Sequence, residues 1–221
     1  MLNTYIEQLK PEVLRLFSND SSGHDITHLE RTLNLALSIQ KQEGGDKIII
    51  GISAFLHDVH RIMQNETGKF VSPKDSLGKV KKILSVTNLT EKQISQILYC
   101  IEHHEIYNWN NSQNNENDIN TLILQDADNL DAIGAIGVAR SFSYGGANKI
   151  IMYNNSISLE MLNDYSEENG NDESTIHHFY HKLFKLGEYM NTNTARTLAK
   201  ARTHFMKEFV NEFLAEWNGE K

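Results

Sequence analysis

A histidine and an aspartate stand side by side, as His57 and Asp58, near the end of the most apolar stretch of the chain, GISAFLHDV. A buried aspartate is costly unless it is paired or holds a metal. An imidazole nitrogen and a carboxylate oxygen are also common donors to a divalent ion. Neighbouring residues on a helix diverge by about 100°. The pair therefore converges on one ion only if that ion sits off the helix, between them. Two further positions stand out: His28 and an aspartate within QDADNLDA. In that segment Asp126 and Asp128 would point about 200° apart on a helix and cannot easily share one metal, whereas Asp128 and Asp131 lie on one face. Spacing alone leaves Asp126 and Asp128 as alternatives. A second His-Asp pair, His24-Asp25, precedes a helical stretch, where Asp25 suits an N-cap. His103-His104-Glu105 closes another, where a histidine also suits the helix dipole.

Helices must carry these residues. The chain has 221 residues and only two prolines, Pro11 and Pro73, so long helices are permitted nearly everywhere. Apolar spacing predicts helices over 2–18 and 26–42, the second ended by Gly44-Gly45. Residues 47–60 are apolar almost all round, which at that length predicts a helix central to a bundle. A loop is expected at 64–73 and a short helix at 75–85. Thr90 with Gln93 forms a capping-box pattern opening a helix to about 104. An asparagine-rich loop covers 108–118, helical spacing returns over 119–140, and a polar loop covers 163–174. Two helices, about 175–190 and 194–217, close the chain. No repeat and no linker divides it. The expected fold is all-α, a single-domain helical bundle over 1–221.

Composition narrows the function classes. Lys plus Arg number 21 and Asp plus Glu 29, a net charge of −8, which argues against general binding to nucleic acid or anionic membranes. One cysteine, Cys100, excludes an intramolecular disulfide framework and any multi-cysteine metal site, and suits a reducing compartment. The N-terminus alternates charged and apolar residues, unlike a signal peptide, and no run approaches membrane-span length. A cytoplasmic protein is the expectation. Neither the GxxxxGK[ST] phosphate loop nor a GxGxxG fingerprint occurs.

Three segments in order, GHDITHLERTLNLA, SAFLHDVHRI and LQDADNLDAIG, resemble the HD-domain superfamily of metal-dependent phosphohydrolases. That pattern is a His, an adjacent His-Asp, and a distant Asp preceded by Ala. The resemblance implies His28, His57, Asp58 and Asp128 as metal ligands. It places the metal-binding core at about 24–135, with the helices of 175–217 completing the bundle. SFSYGG at 141–146, HHFYHKL at 177–183 and MNTNTARTLAKARTHFMKEF at 190–209 resemble one bacterial branch of stand-alone HD hydrolases, the YedJ/YpgQ-like proteins. The branch implies nucleoside triphosphate pyrophosphohydrolysis. It also favours His104 as a pocket residue touching phosphate or the attacking water. With Asp128 taken as the ligand, Asp131 becomes a support or substrate contact, and Asp58, His104 and Asp131 are the expected catalytic residues. Stringent-response hydrolases of the superfamily carry Glu-Asp shortly after His-Asp. Here that stretch is Val59-His60-Arg61-Ile62, which weakens an alarmone-hydrolase reading.

Two imidazoles and two carboxylates around a divalent ion are formally neutral. Mixed nitrogen and oxygen donors suit one Mn²⁺, with Fe²⁺, Co²⁺, Ni²⁺ or Zn²⁺ as alternatives, and suit Mg²⁺ less. Such an ion acidifies a bound water and withdraws charge from phosphorus. A neutral site does not offset the charge of a triphosphate, so fixed cations are needed. Candidates are Arg61, Arg140, Lys149, Lys182 and Lys185, with Lys182 preferred. The expected partner is a small phosphate ester or nucleotide. Rival readings are a nucleoside monophosphate phosphatase, a non-catalytic nucleotide or metal sensor, and a di-iron oxygenase. Leu198, Ala201, Phe205, Phe209, Phe213 and Trp217 recur at helical spacing, which suits core packing or a homodimer face.

Overall fold

The computed structural model describes residues 1–18, 24–106, 117–159 and 174–221. The expected turn at 19–23 and most of the loops expected at 108–118 and 163–174 lie outside the described residues. Among the described residues the fold is all-α, with no strand. The helices are α1 (Leu2–Phe17), α2 (Ile26–Glu43), α3 (Lys47–Leu56), α4 (Val59–Thr67), α5 (Pro73–Leu84) and α6 (Glu91–His103). They continue with α7 (Ile119–Asp131), α8 (Gly134–Ala147), α9 (Thr175–His178), α10 (Phe184–Glu188) and α11 (Asn193–Trp217).

Helix α3 is the centre. Every residue from Ile49 to Leu56 is buried, and α1, α2, α6 and α7 pack around it. That burial explains why the segment shows no polar face. Local chemistry sets most helix ends. Asp25 Oδ1 accepts the His28 backbone N–H at 2.9 Å, as an N-cap should. Asp46 Oδ1 accepts from Ile48 N at 2.8 Å and Ile49 N at 3.1 Å. Thr90 and Gln93 form the expected capping box. Gly44 ends α2 at φ 87°, a conformation that favours glycine.

Several expected elements differ. The helix expected over 47–60 breaks after Leu56. His57 and Asp58 form a turn, and α4 starts at Val59 and runs to Thr67, into the stretch expected to be loop. Asp58 takes φ −89° and ψ 13°, outside helical values. The helix expected over 119–140 stops at Asp131, and α8 begins at Gly134 with φ 79°. A Cβ at Gly134 would lie 2.9 Å from Arg202 Cγ, so α11 crosses this corner closely. The helix expected over 175–190 contains a π-helical turn, Phe179–Leu183, between α9 and α10. In α11 the buried residues are Ala195, Ala199, Met206 and Val210. Leu198, Ala201 and Phe205 face outward instead, because α11 docks on α8 and α10 by the neighbouring stripe. No helix among the described residues is long and apolar enough to cross a membrane.

Candidate metal centre

The break after Leu56 positions the site. It leaves the His57 and Asp58 side chains directed to one point off the end of α3. His28 reaches that point from the first turn of α2, and Asp128 from the last turn of α7. His28 Nε2 lies 3.2 Å from His57 Nε2, 3.2 Å from Asp58 Oδ2 and 3.5 Å from Asp128 Oδ1. His57 Nε2 lies 3.6 Å from Asp58 Oδ1 and 3.5 Å from Asp128 Oδ1. Both histidines are fully buried.

The far side of each ring fixes its tautomer. His57 Nδ1 donates to the Ala54 carbonyl at 2.9 Å. His28 Nδ1 donates to Asp131 Oδ2 at 2.7 Å. Carbonyls and carboxylates accept only, so the hydrogens sit on Nδ1 and the Nε2 lone pairs face each other. Two lone pairs 3.2 Å apart repel unless a cation lies between them, a shared proton in the ion-free protein or a metal ion. Ligand bonds of about 2.1 Å separate adjacent donors by about 3.0–3.4 Å, so the cluster has the dimensions of a divalent-ion site. His28, His57 and Asp128 offer donor atoms that all lie within 4.8 Å of one another and could hold an ion, and Asp58 borders them through His28 and His57.

The charges around the cluster agree. Burial alone would lower the His57 pKa, but Asp58 and Asp128 outweigh it and raise it to about 9 in the ion-free protein. Burial would raise the carboxyls of Asp58 and Asp128, yet the neighbouring histidines hold both well below the usual range. Both carboxylates are therefore ionised and ready to ligate.

Asp131 stands behind His28. Besides the His28 ring it accepts Arg31 Nε at 2.7 Å and Nη2 at 3.0 Å, and Arg140 Nη1 at 3.0 Å. It orients the imidazole and ties two guanidinium groups to the rim. Asp126, the alternative in the same segment, faces away from the cluster. It is fully buried and accepts Asn191 N and Thr192 N, each at 2.7 Å. It also accepts Thr192 Oγ1 at 2.7 Å and Asn191 Nδ2 at 3.0 Å. Asp126 anchors the start of α11.

His104 is buried beside the cluster, its ring centroid 5.1 Å from that of His57. Arg61 pairs with Glu105. Lys149 is exposed at φ 60°, and Lys182 lies half-buried in the π-helical turn. The contacts described around the four-residue cluster include neither lysine. His24, which spacing places only as the neighbour of the N-cap Asp25, lies with Nδ1 2.7 Å from Asp58 Oδ2 and steadies that carboxylate. Arg31, which no motif singles out, lies one turn after His28 on the same face of α2. The signal for both was their place within GHDITHLERT.

The HD-domain family matches residues 25–133, the stretch that holds all four converging residues. The YpgQ protein of Bacillus subtilis strain 168 is 31% identical over 206 residues, covering 93% of this chain and 90% of that one. The chain belongs to the HD-domain family, the class to which its helical core and His/Asp cluster also point. A solved HD-superfamily hydrolase from Bacillus thuringiensis superposes with a TM-score of 0.73 at 32% identity, over 99% of each chain. The structure of Bacillus subtilis YpgQ in complex with ADP superposes with a TM-score of 0.65 at 28% identity, over 94% of this chain and 96% of that one. The protein is a hydrolase of the HD superfamily.

Proposed function

We propose that the protein is a metal-dependent phosphohydrolase that cleaves nucleoside or deoxynucleoside triphosphates to monophosphate and pyrophosphate. The observation that carries this reading is the convergence of His28, His57, Asp58 and Asp128, with the Nε2 atoms of His28 and His57 3.2 Å apart. The ADP held by the YpgQ relative supports a nucleotide ligand. The residues 1–221 are proposed to act as one domain, the terminal helices closing the bundle around the HD core.

His28, His57, Asp58 and Asp128 would hold the ion, with Mn²⁺ favoured by the mixed donors. When bound, a divalent ion supplies Lewis acidity toward water and phosphorus. The chain's own residues do the remainder. Asp131 holds His28 in the ligating tautomer. His24 and the start of α4 hold Asp58 in place. Asp58, free of a proton, accepts hydrogen from water at its edge. His104 is the proposed pocket residue for the phosphate or the attacking water, and with its Nδ1 donating to the Ile101 carbonyl its Nε2 accepts a hydrogen from the water. Arg31 and Arg140, already aligned by Asp131, supply positive charge at the rim. Lys182 and Lys149 are proposed contacts for the outer phosphates.

A turnover screen tests this. Metal-stripped protein receives Mn²⁺, Mg²⁺, Co²⁺, Ni²⁺ or Zn²⁺ with NTPs, dNTPs or NMPs, and pyrophosphate and orthophosphate are assayed separately. Pyrophosphate from triphosphates, highest with Mn²⁺, is the expected result. Orthophosphate alone would replace this reading with a phosphatase. Binding without turnover under every metal would replace it with a sensor.

A further inference from the structure

The two oxygens of Asp131 are loaded unequally. Oδ2 accepts His28 Nδ1 at 2.7 Å, Arg31 Nη2 at 3.0 Å and Arg140 Nη1 at 3.0 Å. Among the described residues Oδ1 accepts Arg31 Nε alone, at 2.7 Å. A carboxylate oxygen has two lone pairs, so Oδ2 holds one donor more than it can serve at full strength.

The three donors are not held alike. His28 Nδ1 makes the shortest of the three bonds. Arg31 is fixed at three points, because Nε and Nη2 grip both Asp131 oxygens and Nη1 donates to Thr27 Oγ1 at 2.9 Å. Arg140 reaches in from α8. Among the described residues it makes one hydrogen bond, through Nη1, and leaves Nε and Nη2 to a ligand or solvent. Two guanidinium groups meet one carboxylate, so one positive charge is left over. Arg140 is therefore the donor that leaves Oδ2 at least cost.

Its place decides what it meets on leaving. The charge of Arg140 also acts on His24, the residue that holds Asp58. Arg140 thus stands between the supports of two proposed ligands, Asp131 behind His28 and His24 behind Asp58. A phosphoryl group brought to the ion offers the guanidinium fork two oxygens, where Asp131 gives it one. It also carries the negative charge that balances the surplus.

We propose that Arg140 is the residue that grips the substrate's phosphoryl group, and that Asp131 relays this to the ion through His28. Arg31 is a positioning residue that keeps Asp131 in place. When Arg140 turns to phosphate, Oδ2 keeps two donors and its bond from His28 Nδ1 strengthens. A stronger bond there makes His28 Nε2 a better donor to the ion. Phosphate and ion then bind cooperatively, and by linkage each tightens the other by the same factor. This inference rests on the proposed function and adds to it a division of labour between the two arginines.

The test reads binding rather than turnover. Metal-stripped protein is titrated with Mn²⁺, following free Mn²⁺ by electron paramagnetic resonance, with and without a triphosphate bridged by methylene between its α and β phosphorus atoms. Mn²⁺ held by the analogue in solution is measured separately and subtracted, and circular dichroism checks that each variant is folded. In the wild type the analogue should tighten Mn²⁺ by about tenfold or more. Arg140→Gln should cut that factor by about threefold or more, while Mn²⁺ alone binds as tightly as before or more tightly. Arg140→Lys keeps the charge beside Asp131 but loses the fork, and should fall between the two. Arg31→Gln should do the reverse, weakening Mn²⁺ alone by about tenfold and leaving the factor unchanged. If the Arg140 variants weaken Mn²⁺ alone as Arg31→Gln does, Arg140 is another support and the proposal is overturned. An unchanged factor in both Arg140 variants would overturn it too. Either result, with ion and analogue still bound by the wild type, leaves the proposed function intact. A wild type that binds Mn²⁺ but not the analogue would remove the triphosphate reading and this inference together.

Discussion

At the scale of single residues, two aspartates that both touch His28 do unlike work. Asp58 lies among His24, His28 and His57, and its carboxylate has no apolar substitute there. Asp58→Ala should lose metal and activity together while the chain stays folded, as circular dichroism and metal analysis would show. Metal retained with activity lost would make Asp58 catalytic without being a ligand. Asp131 acts through His28. Burial would raise its carboxyl, but the His28 and Arg31 hydrogen bonds outweigh it and bring the pKa down to about 2. A depressed carboxyl contributes stability above its ordinary range near pH 4 and loses it as pH falls through about 2. That contribution is about 2 kcal/mol. Asp131→Asn should flatten this acid limb in urea unfolding of the metal-free protein. It should also weaken metal binding by about 10–100-fold, because the His28 ring loses its support. An unchanged metal affinity would reduce Asp131 to a packing residue.

Between elements, Asp126 and the helix junctions matter most. Asp126 joins α7 to the start of α11 through four hydrogen bonds from Asn191 and Thr192. Asp126→Ala would leave the buried Thr192 N–H without its acceptor. It should cost about 3 kcal/mol of stability, read from urea unfolding, with the metal affinity of the folded protein kept. Residues 126 and 128 are thus separated by outcome: one substitution softens the fold, the other empties the ion site. Helix ends were legible where a local signal existed, as at Asp25, Gly44 and the Thr90–Gln93 box. The junction at His57-Asp58 has no glycine or proline to announce it. The contacts Asp58 makes with α2 and its N-terminal flank accompany it. The corner at Gly134 did carry a glycine, but the reason it must be glycine lies 68 residues on, in the side chain of Arg202.

Across the whole molecule, the ion cluster draws on α2, the α3–α4 junction and α7. An ion bound there ties three parts of the bundle together and binds the unfolded chain far less well. At one hundred times the dissociation constant it should add about 2.7 kcal/mol. Thermal unfolding should then rise by roughly 5–10 °C on adding Mn²⁺ to stripped protein, and Asp58→Ala should abolish the rise. The donor types, the central apolar helix and most caps could be read from the chain, because each depends on neighbours within one or two turns. The choice of Asp128 over Asp126 was open to helical spacing and came from family likeness, since geometry needs to know which face of α7 meets α2. His28 and Asp131 are 103 residues apart and 2.7 Å from contact. The roles of His24 and Arg31 were hidden for the same reason. Periodicity reports which side of a helix is apolar. Which polar atoms then share one buried point depends on how the helices return to one another, and that is set by the packing of the entire core.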